Sequence, residues 1–188
     1  GLKWITLPIF SKGKRSQLIK DVNIDVSNKS IQKIKKTIQF NYQKSLYLNS
    51  YLDDFNKCFE DNLKKKKLLN LNIKLIKFFL DILKIEKEIF FSSDLNISGS
   101  KGKKILSICK HFKTNQYIVT EGANKYLKDY LHLFNQNQIE IFTHSYCHPL
   151  YKQCFSPFSP YASIIDLIFN EGKKSLEILN VGSLKLLK

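Results

Sequence analysis

The side chains best suited to chemistry fall in one stretch, His148-Pro149-x-Tyr151-x-Gln153, with Ser163 and Asp166 shortly after it. An imidazole that titrates near neutrality beside a phenol and an amide can move a proton and orient a carbonyl or hydroxyl. Pro149 disfavours helix at the preceding residue, so His148 is expected in extended backbone past the strand-like segment Gln138–Ser145. Polar groups at the C-terminal end of a strand are where open α/β sheets place their sites. A structural role is the alternative: the imidazole bonds loop backbone and Tyr151 packs. Ser163 and Asp166, three residues apart, share a helix face. Asp166 could then orient His148 or a substrate amine, and Ser163 could hydrogen-bond a phosphate or sugar hydroxyl. Equally, a Ser/Asp first turn satisfies the free amides of a helix start, where the dipole favours a carboxylate. The spacing does not define a Ser-His-Asp triad.

A second candidate is Ser98-Gly99-Ser100-Lys101-Gly102-Lys103-Lys104, between a strand-like and a helix-like segment. Free amides at a helix start, the helix dipole and lysines would together hold an anion through Ser100, Lys101 and Lys103. The glycine spacing is not that of a Walker motif, and a flexible, lysine-rich surface turn is the favoured reading. His144, Cys147, His148 and Cys154 lie close in sequence but fit no usual zinc spacing, and an extended strand turns Cys147 away from its neighbours. Neither a metal nor a cofactor is expected.

The elements that must position these residues follow from periodicity. Leu2–Phe10 and Gln17–Val26 read as strands joined by a turn at Lys12-Gly13-Lys14. Ser27 or Asn28 can cap a helix from Ser30 through Tyr42, and a second helix spans about Tyr51–Lys65. Leu68–Phe91 is the most apolar stretch, but Lys74, Lys77, Asp81 and Lys84 draw one polar stripe along it, as on a deeply buried helix of a soluble protein. Those charges argue against membrane insertion. Strands are then expected at Ile89–Phe91, Gln116–Val119 and Gln138–Ser145, and helices at Lys103–Phe112, Ala123–Phe134 and Ala162–Asn170. Ser159-Pro160 reads as the cap of the last helix and Gly172 as its end. The alternation predicts an α/β fold: a mostly parallel central sheet, flanking helices and a helical insertion over about 30–85.

Several of these pieces resemble the WbqC-like proteins found among bacterial surface-polysaccharide genes. Trp4-Ile5-Thr6-Leu7-Pro8-Ile9 is similar to the family's opening strand, Ser93-Asp94-Leu95 to its Ser-x-Leu turn, and Gly122-Ala123-x-x-Tyr126-Leu127 to its small-residue turn before a helix. His148-Pro149-x-Tyr151-x-Gln153, Phe158 and Ser163–Gly172 are similar to its closing signature. The resemblance implies an O-antigen role, a transferase attaching an amino acid such as glycine to a sugar. The substrate would be an activated amino acid or a nucleotide sugar, with His148 and Asp166 as catalytic groups. Tyr151, Gln153, Ser163, Gly122 and Tyr126 would then contact substrate. The family usually carries a His-Gln-Pro-like segment ahead of the Trp strand, so a chain starting at Gly1 is expected to be N-terminally incomplete.

Composition bounds the rest. With 43% hydrophobic residues, 188 residues suffice for one globular domain with a sizeable core. The net charge of +15 suggests nucleic acid, yet Arg15 is the sole arginine among 31 basic residues. Base-edge and bidentate phosphate recognition favour arginine, so the lysines are expected on solvated faces and nucleic acid is not the expected partner. A non-catalytic binding module remains the alternative to the transferase. Four cysteines within apolar patterns suit free thiols in a reducing cytoplasm.

Overall fold

Apolar side chains at helical spacing build the first part of the chain in a computed structural model that describes residues 2–27 and 29–187. Helix α1 (Ser30–Tyr42) turns Ile31, Ile34 and Ile38 inward, and α2 (Leu48–Leu63) buries Leu48, Leu52, Phe55, Phe59 and Leu63. The N-cap of α1 is Lys29, with no side-chain capping bond, and not the expected Ser27. Ser27 instead bonds Asp25 Oδ1 through both its amide (3.2 Å) and its hydroxyl (2.6 Å), and Asn28 lies outside the described residues. Helix α3 (Leu68–Ile82) exposes Lys74, Lys77 and Asp81 as predicted, with Lys84 exposed just past its end, but it is not deeply buried. Leu71 is its buried residue, Leu75, Phe78, Phe79 and Ile82 pack one side against the core, and Ile76 is exposed.

The two N-terminal strands reduce to a single antiparallel bridge, Ile9 with Ile24, around the predicted turn in which Lys14 N bonds Ser11 O at 3.0 Å. Backbone competition limits the ladder. Asp25 N bonds Pro8 O, while Ile24 N bonds Lys66 O and Leu68 N bonds Val22 O. Residues 22–25 thus divide their hydrogen bonds between two neighbours, and neither pairing extends.

The second part holds α4 (Lys101–His111), β1 (Gln116–Thr120), the short helices α5 (Asn124–Leu127) and α6 (Leu131–Gln136), and β2 (Glu140–Ser145). The predicted helix over Ala123–Phe134 is therefore broken, with a 3-10 turn at Lys128–Tyr130 between its two pieces. Strands β1 and β2 are parallel, with Tyr117 opposite Ile141 and Val119 opposite Thr143. After α7 (Ile164–Glu171) and α8 (Ser175–Leu179), β3 (Ser183–Leu186) returns antiparallel to β2. The expected mostly parallel central sheet is corrected accordingly: among the described residues the sheet has three strands in the order β1-β2-β3 and is mixed. Ile89–Phe91 is no strand. Phe90 is exposed, and its ring pairs with Phe112 at 4.7 Å.

Contacts divide the chain into two compact units, Gly1–Glu86 with Pro149–Leu179, and Lys87–His148 with Asn180–Lys188. Each has its own core. Ile24, the inner faces of α1 and α2, Leu71, Ile168 and Phe169 fill the first; Leu106, Cys109, Val119, Leu127, Phe134, Ile139 and Ile141 fill the second.

Candidate functional site

In the first unit, α7 starts at Ser163, whose Oγ accepts from Ile165 N at 3.4 Å. Ser163, not Ser159, is thus the cap, and its hydroxyl satisfies a helix-start amide. Asp166 lies in that first turn, 8% exposed, and its amide bonds Ser163 O at 2.8 Å. A carboxylate this buried requires donors around it. Tyr151 OH donates to Asp166 Oδ2 at 2.7 Å and Gln153 Nε2 to the same oxygen at 2.8 Å. Burial first, then the charge of Asp166, pushes the phenol of Tyr42, at the end of α1, well above the usual range.

Gln153 does more than meet Asp166. Its Nε2 donates to Ser159 O at 2.9 Å and its Oε1 accepts from Ser159 N at 2.8 Å, clamping the Pro/Ser/aromatic loop. The Tyr151 ring meets Phe158 edge-on at 5.4 Å. A second polar chain runs alongside: Ser45 Oγ lies 2.8 Å from Cys154 Sγ, both reach Asn170 Oδ1, and Asn170 Nδ2 donates to Asp166 O at 2.7 Å. The structure therefore brings Tyr151, Gln153 and Asp166 together and adds Tyr42, Ser45, Cys154 and Asn170. The periodicity treated Tyr42 as a packing residue. Its signal was a polar-tipped side chain ending the apolar face Ile31, Ile34, Ile38.

In the second unit, β1 and β2 run side by side and their carboxyl ends are dressed with polar groups. Ser145 Oγ donates to Glu121 Oε1 at 2.7 Å, and the buried Thr143 Oγ1 donates to Asn124 Oδ1 at 3.0 Å. These bonds fix the turn after β1, where Gly122 and Tyr126 are both exposed. A Cβ added at Gly122 would meet nothing, so packing does not demand glycine there. Past β2, half-buried His148 holds its ring 6.0 Å from that of Tyr146, which lies 6.0 Å from His144. His148 is the last residue of this unit before the chain passes at Pro149 into the other.

Ser100 is the N-cap of α4, its side chain making no capping bond, and Lys101 (φ +49°) and Lys103 are exposed on the first turn. Gly102 is explained by packing, since a Cβ there would sit 2.4 Å from the Tyr130 ring. Among the described residues no group of three or more His, Cys, Asp or Glu is placed to hold a metal, and no helix is long and apolar enough to cross a membrane. All four cysteines are free thiols.

These two units, one helical with a buried acceptor network and one built on a small mixed sheet, define a mixed α/β protein. The chain belongs to the WbqC-like protein family, which matches residues 1–178. It is 25% identical over 180 residues to the uncharacterized protein Rv1507c of Mycobacterium tuberculosis, covering 95% of this chain and 76% of that relative. No solved structure matches it significantly.

Proposed function

We propose that this WbqC-like chain acts in bacterial surface-polysaccharide biosynthesis as a transferase that joins an amino acid, such as glycine, to a sugar. The observation that carries this reading is the parallel β1–β2 pair, whose carboxyl ends lead straight into the Gly122–Tyr126 turn and the Tyr146–His148 segment. That is where parallel strands deliver ligands to loop side chains. In the reaction, a sugar amine or hydroxyl loses its proton to His148 as it attacks the carbonyl carbon of the activated amino acid. The new N–C or O–C bond forms while the bond to the phosphate leaving group breaks, and the phosphate departs with that electron pair. Ser100, Lys101 and Lys103 at the uncapped start of α4 hold the phosphate, and Gly122 and Tyr126 face the acceptor. In the other unit, Asp166 fixes Tyr151 and Gln153, and thereby the loop that Ser163 closes.

Calorimetric titration with an aminoacyl-adenylate analogue and with a nucleoside diphosphate sugar tests this reading. One of the two should bind, and Lys101→Ala with Lys103→Ala should weaken it on the order of a hundredfold, about tenfold per charged hydrogen bond. Binding of neither by the folded protein sinks it. A specific observation favours a second reading, a non-catalytic binding module. Both Gln153 and the Asp166 carboxylate are already engaged by internal partners. Ligand binding without any transfer to sugar acceptors would select that reading.

A further inference from the structure

Outside these residues, the most distinctive surface is the outer face of α1. A groove there is lined by Lys3, Lys29, Lys33, Lys36 and Phe40, and its remaining lining side chains are neutral. Among the described residues the ion pairs are Lys35–Glu60 and Lys64–Asp61, so the α1 lysine that is paired is not one of the four in the groove. The apolar side chains here are also outward. Phe40 is 68% exposed and Trp4, next to Lys3 in the chain, is 97% exposed, with Leu2, Ile5 and Phe10 exposed in the same segment. That segment is tied to the unit by the Ile9–Ile24 bridge and by Leu7 packing on the core.

We propose that this face is a peripheral docking surface for an anionic phospholipid bilayer. Four like charges held together repel one another, an arrangement that gains energy only against a dense field of negative charge. Lysine, a flexible point charge, suits the smeared potential of a membrane better than the fixed geometry of a nucleotide phosphate or a base edge. Exposed tryptophan, phenylalanine and aliphatic side chains beside such lysines are what the headgroup boundary accepts. The proposal needs no spanning helix, and among the described residues none is long and apolar enough to cross a bilayer.

The chain carries its own probe, because Trp4 is its single tryptophan. Mixed with phosphatidylcholine vesicles containing one-third phosphatidylglycerol, the protein should co-sediment and shift Trp4 emission to the blue; pure phosphatidylcholine should do neither. Lys29→Gln, Lys33→Gln and Lys36→Gln combined should lower partitioning on the order of a hundredfold, about fivefold per lysine. Lys110→Gln, Lys128→Gln and Lys174→Gln, exposed elsewhere, remove the same charge and should lower it only a few-fold. Trp4→Ala should weaken sedimentation as well as remove the signal. Equal losses in the two triple variants would overturn the proposal, since diffuse net charge would then explain binding. So would the absence of any blue shift, or capture of a single-stranded oligonucleotide through these lysines with vesicles ignored.

Discussion

The two units handle polar side chains in opposite ways. In the helical unit Asp166, in the first turn of α7, is buried and receives Tyr151 and Gln153, so its polar residues bond one another and hold loop and helix in place. In the sheet unit Lys101, Lys103, Gly122 and Tyr126 are exposed, and His148 is half-buried at the end of an extended segment. A single sequence signature, His148 to Asp166, crosses from one regime to the other at Pro149. Residues of one motif can therefore fall in different units: Tyr151, Gln153 and Asp166 bond one another after Pro149, while half-buried His148 closes the sheet unit.

The largest expected effect breaks the first half of that comparison. Asp166→Ala removes the acceptor for two buried donors, Tyr151 and Gln153, and should cost about 3 kcal/mol in urea denaturation, with Asp166→Asn costing about half as much. A wild-type midpoint for Asp166→Ala would mean that the network does not hold the unit together.

Next come two glycines. Gly172 ends α7 with φ +56°, and a Cβ there would lie 2.7 Å from the Tyr47 ring. Gly172→Ala should cost about 2 kcal/mol, combining left-handed strain with overpacking. Gly122→Ala, with open space around it, should stay within about 0.5 kcal/mol. Equal costs at the two positions would erase the contrast between the units.

Periodicity made most of the helices legible, because an apolar face repeating every three to four residues has few alternatives: α1 runs over the residues expected, and α2 and α4 nearly so. It made β1 and β2 and their parallel pairing legible too. It misjudged Ile89–Phe91, because an apolar triplet carries no information about whether a partner strand exists. It was silent on β3, four residues that are all exposed and show no burial pattern. In the candidate site, Tyr151 and Gln153 were legible together with His148, but Asp166 was matched with Ser163 and with His148 or a substrate amine, and its bonds to Tyr151 and Gln153 were not foreseen. Tyr42 and Ser45 were not legible, because a hydrogen bond from Ser45 to Asn170 spans far more sequence than any local pattern reports.

A smaller effect is expected in alkali. Burial and the Asp166 charge raise the Tyr42 phenol in the folded state above its ordinary value of 10.0, so the neutral phenol is the form the fold favours. Its contribution is fully present below pH 10 and is lost as the pH rises beyond that, because the unfolded chain releases the proton first. Tyr42→Phe removes the titrating group and should flatten the alkaline decline. The buried Cys109 thiol and Tyr117 phenol, also raised by burial, should leave part of that decline in place. An unchanged alkaline limb in Tyr42→Phe would show that the folded state does not raise this phenol.

The smallest expected effect on stability, and the one that sharpens the comparison most, is at His148. Its ring is half-buried and meets Tyr146 edge-on at 6.0 Å, a contact worth about 0.5–1 kcal/mol. If His148 is the proton acceptor proposed above, His148→Ala should cost less stability than Asp166→Ala while abolishing transfer. If His148 instead braces the loop, truncation leaves buried partners unsatisfied, costs about 1–3 kcal/mol, and lowers activity only in step with the folded fraction. Thermal unfolding and turnover per folded molecule, measured on the same preparation, separate the two outcomes. Stability near wild type with turnover lost would place the chemistry at His148, whereas a lowered melting temperature with turnover per folded molecule intact would move His148 into the same class as Gln153.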